Sequence, residues 1–115
     1  MKIATTYRTT KWGEVWHVKD TEENAFRFAI YRYFDDDSTI YLSNVFVNEK
    51  FRQQGLGNKI LEMADESARR LGAFAIILKV LNNSFAKSWY ERHGYAEHSR
   101  FKNQKSYVWM IKVLK

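Results

Sequence analysis

The chain of 115 residues contains no cysteine, no proline and only five glycines. Without cysteine there is no disulfide, no thiolate zinc site and no cysteine nucleophile, and the absence suits a reducing compartment. No Pro/Ser-rich linker, repeat or low-complexity segment divides the chain, so residues 1–115 are expected to form a single domain. Hydrophobic runs are short. None reaches membrane-spanning length, and the opening MKIATTYRTT has no apolar core of signal-peptide length. A cytoplasmic protein with no membrane partner is the expectation. Carboxylates thin out along the chain: residues 1–49 hold six Lys/Arg against eight Asp/Glu, and residues 50–115 hold thirteen against five. A basic second half is either a solvated surface or the face that meets an anion, nucleic acid or a phosphorylated cofactor; composition does not choose.

What the chain has in quantity is apolar and aromatic surface. Hydrophobic residues make up 45% and aromatics 17%, enough for a packed interior and against disorder. KIATTYR and EVWHVKD read as short strands separated around Trp12-Gly13. AFRFAIYRYF (25–34) and TIYLSNVFV (39–47) read as a hairpin turning at DDDS, where Asp and Ser bond their own backbone. From Leu56 the period changes: Leu56, Ile60, Leu61, Ala64, Ala68 and Leu71 recur at helical spacing, and Gly72 follows where helices commonly stop. AFAIILKVL (73–81) is a continuous apolar run, the pattern of a strand covered on both faces. Strand, helix and strand over 39–80 therefore predict a central βαβ unit. A second helix is expected over Ser84–Arg92, then two antiparallel strands near 95–101 and 106–114. The fold class is α/β, a mixed and mostly antiparallel sheet with flanking helices.

The segment FRQQGLGNKI poses the functional question, because two glycines sit where a helix begins. First-turn amides have no intrahelical partner, and the helix dipole places about half a positive charge there. Glycine lets those amides approach phosphate oxygens and permits positive φ. A tight turn that binds nothing fits the two glycines equally well. Ile60, not glycine, stands three residues after Gly57, so no dinucleotide fingerprint forms, and no P-loop spacing exists. Arg52-x-x-Gly55-x-Gly57 instead resembles the acetyl-CoA pyrophosphate loop of the GNAT superfamily of N-acetyltransferases. NSFAKSWYERHGY resembles that family's later signature, with Asn83, Ala86, Tyr90, Gly94 and Tyr95 in place. The likeness covers residues 39–95.

The resemblance implies a GNAT-like domain in which an amine attacks the thioester of acetyl-CoA, a tetrahedral oxyanion forms and the coenzyme leaves as a thiolate. Residue by residue, it implies that amides of Gln53, Gln54, Gly55, Leu56, Gly57 and Asn58 hold the pyrophosphate, with Arg52 and Lys59 adding charge. It places the backbone of Val45 and Val47 along the pantetheine arm, with an amide near Val45 supporting the oxyanion. Asn83 and Ala86 meet the arm from the second helix, and Tyr90 is the general acid. By its position alone Tyr90 reads first as a buried aromatic, a preference that the motif reverses, and Trp89 reads as core. A bulky residue at Gly57 is expected to block the phosphates while sparing the fold.

The general base is not assigned. Tyr41, Ser43 and Asn44 stand where some relatives carry a Glu, and Asp37 lies roughly 26 Å along the chain from Val45. His17, His93 and His98 lack metal spacing, so no metal is expected, though imidazole as a class suits proton acceptance. Residues 10–24 are too short for the helices that relatives place between their first two long strands. The acceptor side is therefore expected to be a shallow opening, or one completed by a partner subunit in a homodimer, and to admit a protein or peptide lysine. Two alternatives stand: a CoA-binding regulatory protein without turnover, and a basic nucleic-acid-binding module. The second is disfavoured because no RNA-binding strand motif is present and residues 73–80 read as buried.

Overall fold

The computed structural model describes residues 1–98 and 106–114. The elements run β1 (Ile3–Thr9), β2 (Gly13–Asp20), β3 (Phe26–Tyr33), β4 (Asp36–Val47), α1 (Leu56–Arg70), β5 (Ala75–Leu81), α2 (Phe85–Arg92), β6 (Ala96–Glu97) and β7 (Tyr107–Val113). They form one seven-stranded sheet in the order β1-β2-β3-β4-β5-β7-β6, antiparallel except where β4 lies parallel to β5. The mixed sheet with a central βαβ unit is as the sequence implies. The hairpin turn differs: it falls on Phe34–Asp35, and Asp36 already opens β4. The Asp36 carboxylate accepts from the hydroxyls of Ser38 (2.8 Å) and Thr39 (3.1 Å), so it serves the strand start. Residues 99–101 of the first expected closing strand lie outside the described residues.

The helical period of α1 buries Leu56, Ile60, Leu61, Ala64 and Ala68 against one face of the sheet. Fully burying a residue such as Ile60 contributes about 1.5–3 kcal/mol. Gly72 ends the helix with φ +76°, and the amides of Gly72 and Ala73 close back onto the carbonyls of Arg69 and Ala68. Trp16, Ile30, Leu42, Ile76, Leu78 and Met110 supply the sheet's side of this core, and Tyr90 of α2 joins the same cluster. Both helices therefore pack on one face. Alternate strand positions point the other way, and that face carries His17, Tyr31, Tyr41 and Trp109. Tyr31 meets His17 edge-on at 6.4 Å and Tyr41 at 6.0 Å, and Tyr41 meets Trp109 at 5.6 Å.

Asp20 fastens the far end of the sheet. It is buried, and its carboxylate accepts from the amides of Lys2 (3.2 Å), Glu22 (3.0 Å), Glu23 (3.3 Å) and Ala25 (3.1 Å). Burial alone would push its pKa up, but the four donors outweigh it and hold the carboxyl below its usual value. A group depressed in the folded state contributes stability that is present above its unfolded pKa and lost as pH falls through the folded one. Thermal stability of the wild type should accordingly fall on acidification. Asp20→Asn should lower the melting temperature at neutral pH and flatten that acid dependence, as scanning calorimetry across pH would show.

Candidate functional site

The parallel pairing of β4 with β5 lasts for only three residues: Thr39, Ile40 and Tyr41 oppose Ala75, Ile76 and Ile77. Beyond them β4 stays with β3, while β5 keeps β7 on its other edge from Ala75 to Leu81. The strands part because β4 is bulged. Ser43 opposes Ala29 and Phe46 opposes Arg27, so Asn44 and Val45 stand where β3 has the single residue Phe28. Asn44 adopts φ +55°, and such an insertion bends and over-twists its strand. From Leu42 to Val47 one edge of β4 has no strand beside it among the described residues. Backbone groups on an open edge are donors and acceptors awaiting a partner.

α1 begins beside that edge. After a 3-10 turn over Glu49–Phe51, Gln53 takes φ +65° and Gly55 φ +79° before the helix starts at Leu56. A left-handed conformation is uncommon at a side chain such as glutamine, and it turns successive amides towards one side. Nothing lies within 4 Å of a Cβ built on Gly55, so its backbone angle is what calls for glycine there. No side chain caps the helix and no acidic residue stands in its first turn, leaving those amides and the dipole open to an anion.

Gly57 has a different reason. It is helical, and a Cβ placed on it would come 2.9 Å from the Trp89 ring. Of the two glycines only Gly55 carries positive φ, and Gly57 lets α2 approach α1. Trp89 packs against Tyr90 (4.9 Å) and His93 (5.1 Å). His93 Nδ1 donates to the Trp89 carbonyl at 2.8 Å, and its Nε2 lies 2.9 Å from the Asn58 side-chain oxygen. The end of α2 is thus pinned to the start of α1. The expectation that a bulky residue at Gly57 would spare the fold is corrected, because its side chain collides with Trp89 first.

Between the parted strands and the two helices lies a cleft of about 680 Å³. It gathers Val45, Val47, Arg52, Gln53, Gly55, Leu56, Gly57, Asn58 and Ala86 as expected, and adds Phe46, Phe51, Phe85 and Trp89. Gln54, Lys59, Asn83 and Tyr90 are outside its lining. Gln54 and Lys59 are exposed at the helix start, and Asn83, at φ +58°, turns the chain into α2. Arg52 Nε donates to the Val47 carbonyl at 3.2 Å, which fixes that cation at the strand edge. Tyr90 is buried between Trp89 and Tyr95, and burial pushes its hydroxyl up to about 12. Phe85, 82% exposed at the mouth, carried no signal in the sequence beyond its place at a helix start.

A second groove, about 700 Å³, crosses the opposite face from β1 to β4. Thr6, His17, Lys19 and Arg27 line it, and it shares Val45 and Phe46 with the first cleft. The two spaces meet at the bulge. This groove forms without any helix in the short 10–24 segment. Among the described residues no cluster of His, Cys, Asp or Glu could hold a metal ion, and no helix is long and apolar enough to cross a membrane.

Gly57→Ala should displace the Trp89 indole and destabilise the fold by about 1–3 kcal/mol. Trp89→Leu in the same chain should recover most of that loss. A double-mutant cycle by urea unfolding measures the coupling, and additive losses would show that the two residues do not oppose each other.

The family described as Acetyltransferase (GNAT) domain matches residues 11–97. A curated acetyltransferase of Agrobacterium fabrum is 34% identical over 58 residues, 50% of this chain and 42% of its own length. The chain thus spans less than half of that relative. Among solved structures, a Bacillus subtilis acetyltransferase in complex with CoA superposes with a TM-score of 0.74 at 17% identity, covering 99% of both chains. An Elizabethkingia anophelis GNAT acetyltransferase with acetyl-CoA bound gives a TM-score of 0.72 at 16% identity, covering 97% of this chain and 98% of that one. Those likenesses establish the fold, and the match over residues 11–97 establishes the kinship: the chain belongs to the GNAT acetyltransferase family.

Proposed function

We propose that this protein transfers an acetyl group from acetyl-CoA to a primary amine by direct attack on the thioester. The observation that carries the reading is the parting of β4 and β5 beside an uncapped helix start. One end offers free backbone along Leu42–Val47, and the other offers first-turn amides at Gly55–Asn58. The spacing suits a long co-substrate with an anionic end. Acetyl-CoA supplies an acyl group already activated as a thioester.

The protein's own groups then have distinct tasks. Arg52 and the amides from Gln53 to Asn58 hold the phosphates, and Phe46, Phe51 and Trp89 exclude water from the arm. A preorganised amide near Val45 that faces developing negative charge can contribute roughly 3 kcal/mol. The amine enters from the opposite groove, which meets the cleft at Val45 and Phe46. A lysine of a protein or peptide suits a groove running across four strands, since the rest of the peptide can lie outside. The amine must lose a proton before attack. His93 is engaged at both ring nitrogens, whereas His17 lines the groove, so His17 is assigned the proton. Tyr90 is assigned the return proton to sulfur on the resemblance alone, since it is buried and outside the cleft lining. With its hydroxyl held at about 12, it remains protonated through neutral and mildly alkaline pH.

Two measurements test this. Gly55→Val forces a β-branched residue to φ +79° and should cost most of the affinity for acetyl-CoA in calorimetry, with the melting temperature as control. Retained affinity would contradict the phosphate assignment. Tyr90→Phe should lower kcat by about 10²–10⁴ with little change in acetyl-CoA affinity. The wild-type kcat should show no alkaline fall near pH 10, where an ordinary phenol would ionise. Equal turnover of the two proteins would move the proton to another group.

A further inference from the structure

The charge of the second groove has a consequence for the acceptor. Register places Ala4 opposite Lys19, Lys19 opposite Arg27, and Arg27 opposite Phe46, so these residues share the face that the helices leave bare. Arg27 lies over the Phe46 ring at 4.3 Å, which orders the guanidinium at the point where the two spaces meet. Lys19 and Arg27 are exposed, and neither forms an ion pair among the described residues. None of the groove's lining residues is acidic; Thr6, His17 and Asn44 supply its other polar groups. A site for a bare polyamine would need carboxylates to offset the ammonium groups it buries, and this one offers the opposite sign.

Resting on the transferase reading above, we propose that the acceptor is an amine carrying an anionic group, and that Lys19 and Arg27 hold that group while the amine reaches the bulge at Val45. The anion has two sources: the carboxylate of a small amino acid, or acidic side chains flanking a peptide lysine. Charge-assisted hydrogen bonds from both cations favour either source over its neutral counterpart. Lys19 and Arg27 line this groove and not the cleft that Arg52 and the start of α1 line, so they select the acceptor without holding the donor.

The test uses acceptors matched in all but charge: ε-aminocaproate against its amide, and a glutamate-flanked lysine peptide against its glutamine-flanked twin. In a thiol-release assay with acetyl-CoA, the anionic member of at least one pair should have kcat/KM about tenfold higher or more. The winning pair names the source. Lys19→Gln with Arg27→Gln should erase the preference and leave acetyl-CoA affinity unchanged. Equal or better use of both neutral twins overturns the proposal, as does a preference that survives the double substitution. Failure of acetyl-CoA to bind would count against the transferase reading instead. An NMR titration without donor then decides the groove: the anionic amine should shift the backbone amide signals of Lys19 and Arg27. An oligonucleotide that shifts them when neither anionic amine does so would overturn the assignment.

Discussion

The bulge at Asn44–Val45 is the constraint on which the rest of the site depends. A parallel pair of this kind would ordinarily zip to its end, and β4 and β5 have the residues to continue. One residue more than β3 can match, at φ +55°, turns β4 aside after three parallel pairs. β5 runs on without β4, held along its other edge by β7 over its whole length in antiparallel register. The gap this opens is bounded by an apolar strand edge on one side and by the start of α1 on another. It also links the two faces of the sheet, because Val45 and Phe46 line the space on each.

Around that gap the chain trades local comfort for exposed backbone. Gln53 and Asn44 hold left-handed conformations that cost of order 1–3 kcal/mol in many settings. α1 has Gly55 where a capping side chain would stand, which forgoes roughly a few tenths of a kcal/mol. The core beneath is well able to carry this: Ile60, Ala64, Ile76 and Met110 are fully buried, and Tyr90 joins the same cluster from α2. Trp89 and His93 then hold α2 against the uncapped end, with Gly57 giving the indole room.

Much of this could be read from the residues in order. The spacing from Leu56 to Ala68 gave the helix and its buried face, and the apolar run at 75–80 gave a strand with neighbours on both sides. The glycine pair marked where the helix starts, and only the family resemblance implied an anion there. What could not be read was anything set by a partner far along the chain. Gly57 needs no side chain because of Trp89, 32 residues later, so the two glycines looked alike when their reasons differ. The bulge at Asn44 exists only relative to β3. The turn moved to Phe34–Asp35 because cross-strand pairing of Tyr33 with Asp36 overrode the turn preference of the aspartates. Lys19 and Arg27 are distant in sequence from the glycine loop, and only register brings them to the groove that meets its cleft.

The central claim is that the open edge of β4 and the bare amides of α1 together hold acetyl-CoA. Amide chemical-shift mapping with ¹⁵N-labelled protein and acetyl-CoA tests it at the groups concerned. The account predicts that the largest shifts fall on Val45–Val47 and on Gln53–Asn58, while β1 and the outer turn of β3–β4 stay still. Saturable binding whose shifts leave both segments unmoved would contradict it.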